Sequence, residues 1–194
     1  MRAKTCVCLG SGGGFIPRIM SQARRDLHEQ EIFEGNNSAY GIMKLTGEVT
    51  EKGKAVAKAL IKREEVTDKL WQEHVDGKEP ALGIIPINEN NECRWGCIDV
   101  DKYNLDHRKL LNKLPMGVPL SVCRSKSGGA HIFLFTTDFV PAKLMRDKLM
   151  SLSAVLGFGK AEVFPKQIEL KSQDDTGNFL NLPYFICKYT TRYC

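Results

Sequence analysis

The sequence predicts an α+β domain built on a mainly antiparallel sheet, and three observations carry that reading. Short apolar runs broken by turn residues fill the chain from Leu82 onward. Two longer stretches, Glu51 to Val75 and Pro141 to Leu156, carry apolar residues close to helical spacing. Strands and helices interleave without the regular alternation of a doubly wound sheet, and no internal repeat is present.

The first 35 residues show no sustained period and read as a leader. Within them, Val7 and Leu9 followed by Gly10 to Gly14 mimic the opening of a dinucleotide site. The full glycine spacing, the periodic helix and the acidic residue that such a site needs do not follow. Glu51 to Val75 predicts two helices, the second starting near Asp68 with Thr67 as its cap. Leu82 to Ile87 and Arg94 to Val100, joined by the turn Asn88-Glu89-Asn90-Asn91, read as a β-hairpin. A helix over Leu105 to Leu114 precedes a second hairpin: strand Leu120 to Arg124, loop Ser125 to Gly129, strand His131 to Phe135. Pro141 to Leu156 has Leu144, Met145, Leu149, Leu152 and Val155 at helical spacing, opened by a proline suited to a first turn. Glu162 to Phe164 and Phe179 to Leu182 are further short strands.

The chain's 194 residues, 42% of them apolar, suffice for one domain with a real core. No apolar run reaches the roughly 18 residues of a membrane span, and the start lacks the pattern of a secretory signal, so a cytoplasmic setting is expected. Seven cysteines are an odd count without an export signal, which predicts reduced thiols. Cys93 and Cys97 lack a second pair at zinc spacing and read as packing residues, as do Trp71, Trp95 and Phe133. The formal charge of +5 and pI near 8.8 permit nucleic acid as a partner. An ordinary solvated surface explains that charge equally well, because the basic residues are spread.

Chemistry concentrates in three stretches. In Cys97-Ile98-Asp99-Val100-Asp101, strand alternation puts Asp99 and Asp101 on one face. Two carboxylates so close repel each other, a poor choice for stability but a good one for a hard divalent cation. A strand running out into an acidic, solvated turn is an equal reading of that motif alone. Arg124-Ser125-Lys126-Ser127-Gly128-Gly129-Ala130-His131 combines free backbone N–H groups, two cations and a histidine, the makings of a phosphate clamp. Its plainer alternative is a small-residue turn with a satisfied, half-buried histidine. Glu162 to Gln167 offers a third acid, which taken alone is an ordinary solvated glutamate. Tyr103 and Tyr184 lie near enough in sequence to the proposed site to stack on a base.

In this order, Ile98-Asp99-Val100-Asp101, Ser125 to Phe135, Glu162 to Gln167 and Gly177 to Phe185 resemble the archaeo-eukaryotic primase superfamily. The closest match is to the primase-polymerases of phages and of mobile, TOTE-type conflict systems. Asn37 to Gly41 and Leu82 to Pro86 are similar to the same branch, and the resemblance spans about Asn36 to Tyr193. It implies a catalytic core over residues 36–194: an RRM-like sheet with packed helices, plus a small N-terminal α/β unit. Asp99, Asp101 and Glu162 would be the catalytic metal ligands for two Mg²⁺ or Mn²⁺ ions. Arg124, Lys126, Ser127, Gly129, His131, Lys166, Gln167 and Asn178 would bind the nucleotide. The activity implied is template-dependent nucleotidyl transfer releasing pyrophosphate, as a DNA primase or polymerase. Nucleoside triphosphates and a single-stranded or primed DNA template would be its partners, with a helicase in cis or trans. Two other readings stand beside it: a non-catalytic nucleic-acid-binding remnant of a mobile element, and a metal-dependent nuclease. Relatives usually continue past Phe185 into further core or helicase segments, so a core truncated at its C-terminus is one expectation.

Overall fold

The computed structural model describes residues 31–49, 55–172 and 174–186, and the leader's residues 1–30 lie outside them. Two four-stranded antiparallel sheets form the molecule. The first takes β1 (Tyr40–Val49), β2 (Ala55–Lys62), β3 (Leu82–Ile84) and β8 (Leu180–Asn181) in the order β2-β1-β3-β8. The second takes β4 (Glu92–Val100), β5 (Leu120–Arg124), β6 (Ala130–Pro141) and β7 (Glu162–Phe164) in the order β5-β6-β4-β7.

Helix α2 (His107–Leu111) joins β4 to β5 and α3 (Ala142–Leu156) joins β6 to β7. The run β4-α2-β5-β6-α3-β7, with its first and third strands central, is the split βαβ arrangement of RRM-like domains. The fold is therefore α+β. Helix α1 (Asp68–Asp76) belongs with the first sheet, which β8 closes from the far end of the chain.

The second sheet buries both faces. Ile98, Val100, Ile132 and Leu134 pack with Met145, Leu149, Leu152 and Leu156, the 3.6-period stripe of α3. Gly96 is where that helix comes closest, since a Cβ there would lie 2.5 Å from Leu149 Cδ1 and 2.7 Å from the Phe164 carbonyl oxygen. The opposite face carries Trp95, Cys97, Cys123, Phe133 and Phe164 against Leu82, Ile84 and Leu180 of the first sheet. Phe33, from the segment before β1, enters the same core edge-on to Trp95, Phe133 and Phe135, with centroids 5.2–5.4 Å apart.

Four expectations change. Residues 55–62 are a strand, not a helix: Tyr40↔Lys62 through Leu45↔Ala57 are Cα partners, and this pairing overrides the helix-like spacing of Ala55, Val56, Ala59 and Leu60. Residues 50–54 lie outside the described structure. Second, β3 and β4 do not form a hairpin. The Asn88 turn is real, its Oδ1 accepting from the backbone N–H of Asn90 and Glu92, but Ile85 to Ile87 carry the chain from one sheet to the other. Third, α2 is shorter than Leu105 to Leu114, because Asp106 caps it at Lys109 N–H. Fourth, Cys93 and Cys97 are buried free thiols, whereas Cys123 is disulfide-bonded, so the reduced reading does not hold there. The strand predicted over His131 to Phe135 starts one residue earlier and runs on to Pro141; the remaining strand and helix predictions stand within three residues, and Trp71, Trp95 and Phe133 are core side chains.

Candidate active site

The site grows out of strand register. In one row across the second sheet, Cys97 of β4 sits opposite Phe133 of β6 and Phe164 of β7, all buried. Two residues further along each strand, Asp99 sits opposite His131 and Glu162. Side chains two apart share a face, so three neighbouring strands exchange an apolar residue for an ionisable one at the same end of the same face. The inter-sheet core ends there and a polar rim begins.

Asp99 occupies the middle of that row. Burial pushes its carboxyl up to about 6, the negative charges of Asp101 and Glu162 add to the rise, and Lys166 opposes it. His131 Nε2 stands 3.5 Å from Asp99 Oδ1, and its ring packs edge-on against Phe133 at 5.9 Å. The histidine therefore faces the acids with 12% of its side chain exposed, rather than vanishing into the core. Glu162 is 62% exposed and is held by Lys166 Nζ at 2.8 Å. That ammonium also lies 5.0 Å from the Phe164 ring centroid.

The Ser125–Gly129 turn closes over the end of β4. Ser127 Oγ donates to Asp101 Oδ1 at 3.1 Å and lies 3.1 Å from Ser125 Oγ. Ser125 N–H donates to the Gly129 carbonyl, and Gly128 takes φ +89. Gly129 must be glycine: a Cβ there would stand 2.1 Å from the Val100 carbonyl oxygen, which is immovable backbone. The loop thus rests directly on the strand that carries the two aspartates.

Gln167 and Asn178 form a reciprocal pair. Gln167 Nε2 donates to Asn178 Oδ1, and Asn178 N–H donates to Gln167 Oε1 at 3.1 Å. Gln167 follows Lys166 in sequence, and among the described residues neither it nor Asn178 makes a hydrogen bond to Asp99, Asp101 or Glu162. Arg124 and Lys126 are exposed on the rim of the loop, and no ion pair ties them to Asp99, Asp101 or Glu162 among the described residues. Tyr103 is 65% exposed and Tyr184 half-buried.

Residues 19–193 match the archaeo-eukaryotic primase domain of TOTE conflict systems. The chain belongs to that family. No curated protein matches it. Every described residue falls inside the matched span, so the acid row and the Ser–Gly turn are parts of the primase domain itself. Archaeo-eukaryotic primases generally depend on divalent metal.

The donor chemistry of this primase domain fits such an ion: oxygen ligands, crowded negative charge, and a central carboxyl whose affinity for protons is raised by burial first and by the neighbouring acids second. The side chains as placed are not closed around one. Among the described residues no group of three His, Cys, Asp or Glu is arranged to hold a metal, and Glu162 is drawn instead to Lys166. Bringing three carboxylates to one point means turning Glu162 away from that lysine.

Sequence reasoning passed over one residue here. His107 of α2 places Nε2 2.9 Å from the Gly129 carbonyl oxygen, so Nε2 carries the proton and donates. Its only sequence signal is its position in the short helix that follows the aspartates.

Proposed function

We propose that this primase domain is a template-dependent nucleotidyltransferase, a DNA primase or polymerase, with Asp99, Asp101 and Glu162 as its metal ligands. The observation that carries the reading is the row in which Asp99 has His131 and Glu162 as its direct cross-strand partners. A sheet gains nothing in stability from stacking two acids side by side at the edge of its core.

Two Mg²⁺ or Mn²⁺ ions would be held by these carboxylates, activating the primer's 3′-hydroxyl and neutralising charge on the departing pyrophosphate. The chain's own groups do the rest. His131 and the Ser125–Gly129 backbone hold the triphosphate, with Arg124 and Lys126 drawing it in from the rim. Ser127 fixes Asp101 and thereby couples phosphate binding to the position of an acid. Lys166, which pairs with Glu162 here, would serve a phosphate oxygen of a bound nucleotide equally well, and Glu162 without that partner would be available as a metal ligand. Gln167 and Asn178, locked to one another, line the far side of the nucleotide pocket.

Glu162's pairing with Lys166 also favours a second reading, a nucleic-acid-binding remnant that polymerises nothing. Incubation with Mn²⁺ or Mg²⁺, labelled nucleotides and primed or unprimed single-stranded DNA separates the two. Extension products are expected from the parent protein, with Asp99→Ala and Asp101→Ala each falling on the order of 10²–10³-fold while retaining their fold. Binding without product establishes the remnant, and shortened template a nuclease. Product formed at the parent's rate by both variants overturns the site assignment.

A further inference from the structure

The chain's positive charge is not evenly placed. Residues 40–63, which contain β1 and β2, carry six basic and two acidic side chains, a net of four out of the whole chain's five formal positive charges. Lys44 of β1 and Lys58 of β2 are direct cross-strand partners. Lys62 pairs with Tyr40, and the pleat puts all three lysines on one face of the hairpin. Each is exposed, and none meets a carboxylate among the described residues.

Like charges placed directly opposite destabilise a strand pair, so this arrangement works against the hairpin's own stability. Lysines on an exposed edge do guard against strand-on-strand aggregation. That explains Lys58 and Lys62 on the edge strand β2, but not Lys44, which lies on the interior strand β1. A polyanion resolves the conflict, because a chain of phosphates neutralises the row and releases its own counterions.

We propose that the β1–β2 hairpin is a nucleic-acid arm, in which Lys44, Lys58 and Lys62 grip the phosphate backbone of the single-stranded template. The proposal rests on the polynucleotide-handling role put forward above and assigns it a surface. The lysines meet phosphates, so the arm is indifferent to base sequence and sensitive to salt.

The test measures binding of a fluorescent single-stranded oligodeoxynucleotide over a range of salt concentrations. The parent protein is compared with Lys44→Gln/Lys58→Gln/Lys62→Gln and with a charge-matched control, Lys109→Gln/Lys113→Gln/Lys160→Gln. The hairpin variant is expected to lower the slope of log K against log salt by about 2, at roughly 0.7 for each phosphate that is no longer neutralised. It is also expected to melt no lower than the parent, since the opposed charges are gone. The control keeps the parent slope. An unchanged slope in the hairpin variant, or an equal fall in the control, overturns the proposal. Its failure is separable from that of the polymerase reading: a protein that extends primers with an unaltered slope loses only the arm, and one that binds through the arm yet makes no product loses only the activity.

Discussion

Asp99 shows how a single residue can cost stability at a candidate site. Its carboxyl is raised from 3.8 to about 6, so the folded protein holds the proton more tightly than the unfolded chain does. The metal-free protein therefore has this contribution in full below about pH 3.8 and loses it as pH rises through about 6. Asp99→Asn keeps an acceptor for His131 and removes the charge. It is expected to flatten that pH dependence and to stabilise the metal-free protein at pH 7 by at most about 3 kcal/mol. Thermal melts across pH check this, and a variant that melts lower than the parent at pH 7 contradicts it. His107 acts at one remove, through the Gly129 carbonyl. His107→Ala is expected to raise the KM for nucleotide about fivefold, the worth of one hydrogen bond of ~1 kcal/mol, with a smaller effect on kcat. His107→Gln, whose amide can still donate, restores most of it. An unchanged KM, or a Gln variant as poor as Ala, removes the positioning role.

At the scale of elements, strands β4, β6 and β7 each pass from a buried apolar residue to an ionisable one at the same end of one face. Because β4 carries Asp99, the register of α3 against it supports the site. Leu149 is fully buried where the helix meets Gly96. Leu149→Ala is expected to destabilise the protein by about 2–5 kcal/mol in urea unfolding, and a loss under about 1 kcal/mol shows that the helix is not gripped there. The acids, the histidine and the glycine turn were legible in the sequence because each lies in a short linear motif whose residue types state their chemistry. The row that joins them was not, since register depends on a shift in the β4–β6 pairing between Cys93 and Trp95 and on turns whose geometry no local pattern reveals. Residues 55–62 misled for a related reason. Alanine and lysine favour helix locally, and only pairing with β1 makes them a hairpin arm. Leu82–Val100 does not form the single hairpin its turn suggests, because neighbours in sequence here belong to different sheets.

Across the whole molecule, the first sheet and its helix α1 are tied to the second by a shared core, with Phe33 wedged beneath Trp95. His74, fully buried in α1, accepts from Leu82 N–H at Nδ1 and donates from Nε2 to the Pro183 carbonyl at 2.7 Å, pinning the segment after β8 to the start of β3. Just before β8, Asn178 is paired with Gln167, which lies two residues after the cis-proline that follows β7. The glycine turn, the acids and the β1–β2 lysines thus belong to one structure whose parts come from the full length of the described chain. The account depends most on the three carboxylates acting together on a cation, and titration of the protein with Mn²⁺, followed by the electron paramagnetic resonance of the free ion, measures that directly. The parent protein is expected to take up Mn²⁺, more tightly when a nucleoside triphosphate is present, and Asp99→Asn/Asp101→Asn to take up none at the same sites. Equal uptake by parent and variant contradicts the account.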